Sequence, residues 1–345
     1  MISKKFTRVL LAAPLALILG VTACGSGDEP TDDPATGASA GSAAFPVTIE
    51  HAFGETTIPQ TPTQVVAWGW GSADAAIALD VVPVAIPFQS YGGDANGVLP
   101  WIAEKLEETG AELPTVLPDA QEPPFDEIVA AEPDLILAVY SGIDQEQYDL
   151  LSQIAPTVAY PGEAWATPWR DLVTTVGTAL GKSAEATALL GDIDAQIAQK
   201  AEEHPELAGK SVAMVWDSAG TFYVYKEADP RVEFALDLGM EGAASVNELA
   251  TDESTFYFTM SYEQLDKLTS DVLVSFATTQ DEQDAFLSSQ AAQTMPQVRS
   301  GAVASLVGAE FIASVSPPTA LSVTWGLDDY VAALAEAAAK VDAAS

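Results

Sequence analysis

Eight short apolar runs limit the fold most: Val65–Trp68, Val82–Ile86, Leu135–Tyr140, Thr157–Tyr160, Ser211–Trp216, Phe222–Tyr225, Val272–Ala277 and Val303–Val307. A strand with one wet face alternates apolar and polar side chains. A run that barely alternates is covered on both faces, as in a parallel sheet. Helical patterns separate many of the runs, so the chain is expected to be α/β. Two stretches share one layout, FDEIVAAEPDLILAVY (125–140) and YEQLDKLTSDVLVSFA (262–277). Each opens on an acid (Asp126 or Glu263), runs one short helix, meets a second acid (Asp134 or Asp271) and enters an apolar strand. This echo predicts two lobes of similar, Rossmann-like build. Between them, Ser183 to about His204 carries the longest helical signal, with Leu189, Leu190, Ile193 and Ile197 as its apolar stripe. Ser183 is placed to cap that helix and Pro205 to stop it. About 20 helical residues reach roughly 30 Å, enough for a rigid strut between lobes.

The first residues bear on where the protein works. Lys4, Lys5 and Arg8 precede an apolar run from Val9 to Val21, followed by Thr22-Ala23-Cys24. A basic start, a short apolar core and small residues before a cut site make an export signal, and the run is short for a membrane span. Val21-Thr22-Ala23-Cys24 resembles a lipobox, which implies lipidation of Cys24. The alternative is an ordinary signal peptide with an incidental cysteine. Cys24 is the single cysteine of the chain, so no internal disulfide and no thiol chemistry in the folded part are expected. Residues 25–44 hold no large apolar side chain and read as a flexible tether. The expected organisation is a leader over 1–23, a tether over 24–44, an N-terminal lobe over 45–169, a linking helical region over 170–204 and a C-terminal lobe over 205–345.

Charge excludes several partners. The chain has 13 Lys and Arg against 50 Asp and Glu, a formal −37, and the leader holds three of the cations and no acid, so the mature chain reaches −40. Nucleic acid, which needs a basic face, is excluded. Anionic headgroups would repel the protein, so a lipid on Cys24 would have to hold it at the membrane. Most of the acids read as a solvated surface.

The stretch VVAWGWGSADAAIALD (65–80) outlines a strand, a glycine turn and a helix, as in a dinucleotide site. Asp74 stands where that fingerprint needs its third glycine, and the next strand ends at Phe88 without a ribose-binding acid. A nucleotide is therefore not expected. The glycines still permit a tight turn, with Ser72 as a cap. Ligands of open α/β lobes bind beyond the carboxyl ends of the strands. Trp68, Trp70, Phe88, Tyr91, Tyr140 and Trp216 all fall at such ends, and Trp165 and Trp169 lie on the way to the second lobe. Each ring alone could complete a core, but together they predict a cleft between lobes for a bulky, partly apolar ligand.

Catalysis lacks a constellation. The two histidines, His51 and His204, stand far apart in sequence, with no zinc-binding pattern and no Gly-x-Ser-x-Gly elbow. No enzyme, resident metal or cofactor is expected. A scaffold lipoprotein is the competing non-enzymatic reading, and it gives no reason for aromatics at strand exits.

The lipobox, the two α/β halves, the long helix and the PDLIL and SDVLV units together resemble the iron–siderophore class of substrate-binding proteins of ABC importers, over roughly residues 45–340. Vitamin B12 and haem binders share that fold. The resemblance implies a monomeric lipoprotein on the outer face of the cytoplasmic membrane that carries a ferric siderophore to a permease, the iron arriving inside its ligand. It also implies a ligand-contacting arginine after the first hairpin of the second lobe, a place that Arg231 holds. Neutralisation of Glu227, Asp229 or Glu233 is the alternative role for Arg231. Asp126 and Glu263 match the exposed acids that dock on the permease, although acids at helix starts also oppose the helix dipole. With few cations in the chain, a hydroxamate or mixed-type siderophore is favoured over a trianionic catecholate. Tyr91, Tyr140 and Tyr223 keep haem open as an axially ligated alternative, and cobalamin also suits an aromatic cleft.

Overall fold

The computed structural model describes residues 45–344 except 252–253. The leader, Cys24 and the tether lie outside the described residues. Strands β1 (Val47–His51) and β2 (Gly54–Ile58) form an antiparallel hairpin. The first lobe is a parallel sheet of β3 (Val65–Ala67), β4 (Ala85–Ile86), β5 (Thr115–Val116), β6 (Leu135–Ala138) and β7 (Thr157–Ala159), in the order β5-β4-β3-β6-β7. The second lobe holds β8 (Ser211–Ser218), β9 (Thr221–Tyr225), β10 (Glu241–Gly242), β11 (Tyr257–Met260), β12 (Val272–Ala277) and β13 (Val303–Val307). Its order is β11-β9-β8-β12-β13, with β10 beside the start of β8.

All eight apolar runs contain a strand. Strands β6 and β12 are buried at every residue, as both-face coverage requires. The second sheet is mixed, with the hairpin that the resemblance implies at its start. Strand β9 is antiparallel to both β8 and β11, while β8, β12 and β13 are parallel. The cause is the two-residue Ala219–Gly220 turn, both residues at left-handed φ, which joins β8 and β9 as a hairpin and leaves no length for a crossover helix.

The sequence echo has a physical basis. Asp134, just before β6, accepts hydrogen bonds from the Thr63 and Gln64 backbone amides at 2.8 and 2.9 Å. Asp271, just before β12, accepts from the Ser211 amide and hydroxyl, both at 2.8 Å. Each carboxylate thus pins the start of the strand next to its own, and sets the parallel register by local chemistry. The first short helix of the echo is α-helical (Phe125–Ala130) and the second is 3-10 (Tyr262–Lys267).

The strut helix spans Ser183–Glu203. Ile193 and Ile197 are buried, and Leu189 and Leu190 pack partly buried beside them. Ser183 does not cap it. Lys182 occupies the cap position, no side chain caps the helix, and the Ser183 hydroxyl faces Thr178 instead. One hydrophobic core runs through both lobes and the strut, from Val65, Leu137 and Val173 through Ile193 and Ile197 to Val212 and Val274. Arg170 clamps three elements at once. Its Nη2 reaches Asp194 on the strut and Asp237 on the helix Pro230–Asp237, both at 2.8 Å, and its Nη1 lies 3.6 Å from Glu233.

A second connection comes from the far end of the chain. After β13, residues 316–325 return to the first lobe. The Trp70 indole donates to the Pro317 carbonyl at 3.0 Å. Trp101 and Thr319 both donate to Asp74, which is fully buried in the first turn of the helix Ser72–Ala78. The Trp325 indole donates to Glu104 at 3.1 Å. The lobes are therefore joined both by the strut and by this returning segment, whose helix Ser322–Ala344 is tied to the strut by the Lys200–Asp328 ion pair at 2.8 Å.

Candidate functional site

Strand pleating sets the first half of the site. Tyr223 and Tyr225 lie two residues apart on β9 and share a face. Trp216 of β8 sits opposite Tyr223, and Tyr257 of β11 opposite Tyr225. The four rings make a continuous aromatic surface, with Tyr223 and Tyr257 edge to face at 5.5 Å. The chain leaves β9 and turns at Asp229, whose carboxylate caps the helix Pro230–Asp237 by accepting from the Arg231 amide at 2.9 Å. The Arg231 side chain folds back over this surface. Its guanidinium lies 4.1 Å above the Tyr225 ring, its Nη1 is 3.3 Å from Asp229, and its Nε donates to the Ser316 hydroxyl. Burial pushes the Asp229 carboxyl upward in pKa, and the neighbouring guanidinium draws it part of the way back. Tyr140 and Trp165 close the hollow from the first lobe, edge to face at 5.7 Å. The hollow measures about 380 Å³, and among its lining residues Arg231 is the one cation and Asp229 the one acid.

A second hollow of about 330 Å³ lies at the carboxyl ends of β3, β4, β5 and β6, lined by Trp68, Trp70, Phe88, Trp165 and three glutamines among others. Trp165 borders both hollows. It is 52% exposed and adopts a left-handed φ of 59°.

The turn between β3 and its helix is now explained. Gly69 has φ 86°, and a Cβ there would fall 2.3 Å from the Tyr140 carbonyl oxygen. That close approach lets the Trp70 amide donate to the same carbonyl at 3.0 Å, and so couples the Trp70 turn to the Tyr140 wall. The cap residue of the helix is Gly71, in the left-handed region, and not Ser72, whose hydroxyl is buried within the helix.

The two hollows gather eight of the sequence-derived ligand candidates: Tyr140, Trp165, Trp216, Tyr223 and Arg231 in one, and Trp68, Trp70, Phe88 and again Trp165 in the other. Two candidates fall elsewhere. Trp169 is buried in the shared core, with the Arg170 guanidinium 4.4 Å over its ring. Tyr91 packs behind the surface, 6.3 Å from Trp216, and lines neither hollow. Of the roles weighed for Arg231, it combines two: it lines the hollow and pairs with Asp229, while Glu233 pairs with Arg170. Asp126 and Glu263 are both exposed, each in the first turn of its short helix. Sequence reasoning missed Tyr225, Tyr257 and the glutamines. The alternation in TFYVY already places Tyr225 beside Tyr223. Tyr257 sits on a strand whose mixed polarity gave no continuous run.

Two α/β lobes that meet at an aromatic cleft with a single paired cation have the build of a binding protein for a bulky ligand. The chain belongs to the Periplasmic binding protein family, whose model matches residues 65–309. It is 33% identical to PiaA of Streptococcus pneumoniae TIGR4, solved in complex with ferrichrome, with a TM-score of 0.77 over 85% of this chain and 99% of that one. It is 24% identical over 278 residues to the petrobactin-binding protein YclQ of Bacillus subtilis, covering 78% of this chain and 79% of the relative. It is 29% identical over 168 residues to the Fe(3+) dicitrate-binding periplasmic protein FecB of Escherichia coli, covering 47% of this chain and 52%, about half, of that relative's length.

Proposed function

We propose that the protein captures a ferric siderophore, of hydroxamate or mixed type, and delivers it to the permease of an ABC importer for iron uptake. The observation that carries this reading is the aromatic hollow whose one guanidinium is already paired with Asp229. A ferric hydroxamate has a neutral or cationic iron shell, and one hydrogen-bonding cation over a ring surface suits it. A trianionic catecholate needs several uncompensated cations, and it approaches a mature chain that carries strong negative charge. Binding of ferrichrome by PiaA and of petrobactin by YclQ supports the siderophore class. Iron enters and leaves inside the ligand, so the protein contributes a shaped cleft and not metal ligands.

In this reading Cys24 bears the lipid that holds the monomer on the outer face of the cytoplasmic membrane, and Asp126 and Glu263 meet the permease from the two lobes. Haem fits less well. Burial pushes the Tyr91 and Tyr140 hydroxyls up to about 12, which opposes the phenolate that a ferric haem would take at two of its three candidate axial ligands, and no second cation lines the hollow for its propionates.

Intrinsic tryptophan fluorescence tests the proposal, because Trp165 and Trp216 line the first hollow and Trp68 and Trp70 the second. Ferrioxamine B, a ferric tris-catecholate, haem and cyanocobalamin are titrated in parallel. The expected result is saturable quenching by ferrioxamine B at submicromolar ligand and a weaker response to the catecholate. Tight binding of haem or cobalamin alone would replace the siderophore, and silence from all four would favour the scaffold reading.

A further inference from the structure

The second hollow differs in chemistry from the first. Its rings come from Trp68, Trp70 and Phe88, and its polar atoms from Gln89, Gln121 and Gln147. No charged side chain lines it. Gln147 is half committed: its Oε1 accepts from the Asp144 amide at 3.2 Å, which leaves its NH₂ group. The side chains of Gln89 and Gln121 make no hydrogen bond to any described residue. A side-chain amide offers two donors and a carbonyl acceptor, the complement of a peptide unit, and carries no charge to favour a carboxylate or catecholate over a neutral amide. At about 330 Å³ the hollow falls within the size range of small-molecule sites, so it has room for several linked amides and not merely for solvent.

Trp165 stands as the partition between this hollow and the aromatic one. Its ring lies against Gly142, where an added Cβ would overlap the indole nitrogen, so the glycine makes room for the partition. A ligand that touches both sides of Trp165 has a compact part facing Arg231 and an extended part facing the glutamines.

We propose that the glutamine-lined hollow is a separate subsite for the neutral, amide-bearing backbone of the ligand, while the aromatic hollow takes the iron-bearing part. The assignment rests on the siderophore reading above. It makes affinity depend on backbone chemistry as well as on the iron shell.

Two neutral iron complexes separate the subsites. Ferrichrome carries three hydroxamates on a cyclic peptide backbone, and ferric tris(acetohydroxamate) presents the same iron shell with no backbone. In the Gln89→Leu/Gln121→Leu double variant, ferrichrome is expected to bind about tenfold or more weakly, as for two lost hydrogen bonds, while the simple complex keeps its wild-type affinity. Equal weakening of both complexes, or of neither, overturns the subsite. Failure of the wild-type protein to bind either complex overturns the siderophore reading itself, and the subsite with it. The thermal melt of the variant is expected to match wild type, because neither glutamine side chain has a protein partner. Should the pair disturb folding, Gln89→Leu alone is expected to weaken ferrichrome about threefold or more, as for one lost hydrogen bond, and to leave the simple complex unchanged.

Discussion

Replacing Arg231 with methionine is expected to weaken ferric hydroxamate binding by one to two orders of magnitude. The guanidinium is the one cation of the aromatic hollow, and the hydroxamate oxygens around ferric iron are good acceptors. A hydrogen bond from a charged donor contributes about 1.5–3 kcal/mol, which is roughly tenfold to a hundredfold in affinity. Methionine keeps the unbranched apolar stem but removes the guanidinium that lies over the Tyr225 ring, so the loss includes that contact. The change also leaves Asp229 buried without its partner. Burial already raises that carboxyl, so it is expected to take up a proton more readily in the variant, and the protonated acid still accepts from the Arg231-position amide at the helix cap. Binding is measured by tryptophan quenching with ferrichrome. Unchanged affinity would mean that Arg231 serves only to neutralise Asp229.

The second large effect is on stability. Asp74 is buried, without a cation, and accepts from Trp101 and Thr319. Replacing it with alanine leaves an indole N–H and the Thr319 hydroxyl proton without an acceptor in the interior, at about 1–3 kcal/mol each, so a loss of about 2–6 kcal/mol is expected. It also unfastens the segment that carries Ser316, the residue that receives the Arg231 Nε donor. Asparagine retains the acceptor oxygen without the charge and is expected to be close to wild type or more stable at neutral pH. Desolvation raises the folded-state pKa of Asp74 above the ordinary 3.8. The folded protein therefore binds this proton more tightly than the unfolded chain. The favourable contribution is fully present below 3.8 and is lost as pH rises through the raised folded value. Wild type is thus expected to gain on Asp74→Asn as the pH falls through that window. The difference between the two melting curves isolates this carboxyl from the many others that titrate in both proteins. Parallel pH profiles would show that burial leaves the Asp74 carboxyl with the same pKa in the folded and unfolded protein.

How much of this was legible in the sequence depended on where the determining contacts lie. The buried strands announced themselves because two-face coverage demands unbroken apolar runs. The hairpin of β1 and β2, the two-residue strands β5 and β10, and β11 with its mixed polarity lack that signature. Their pairing is decided by neighbours distant in sequence. Both serine caps failed for one reason: Ser72 and Ser183 each occupy the first helical position, and the residue before each one turns the chain. The aromatic cleft was legible because strand exits are where an α/β lobe offers its ligand surface. Trp169 misled because a ring near a lobe junction can as well be drawn into the shared core, and here Arg170 covers it. Asp74 was read only as a flaw in a nucleotide fingerprint. Its partner Thr319 is 245 residues away, and nothing local marks a segment that returns to the other lobe.

The central claim is that the cleft selects a ferric siderophore of low charge, and a competition titration tests it most directly. The soluble chain from Ala44 onward is saturated with ferrichrome and challenged with a ferric tris-catecholate at fixed ionic strength, with bound iron complex measured after removal of free ligand. The expected result is that ferrichrome stays bound until the catecholate is in large excess, and that added salt narrows the gap by screening the negative field of the protein. Displacement by equimolar catecholate would contradict the account.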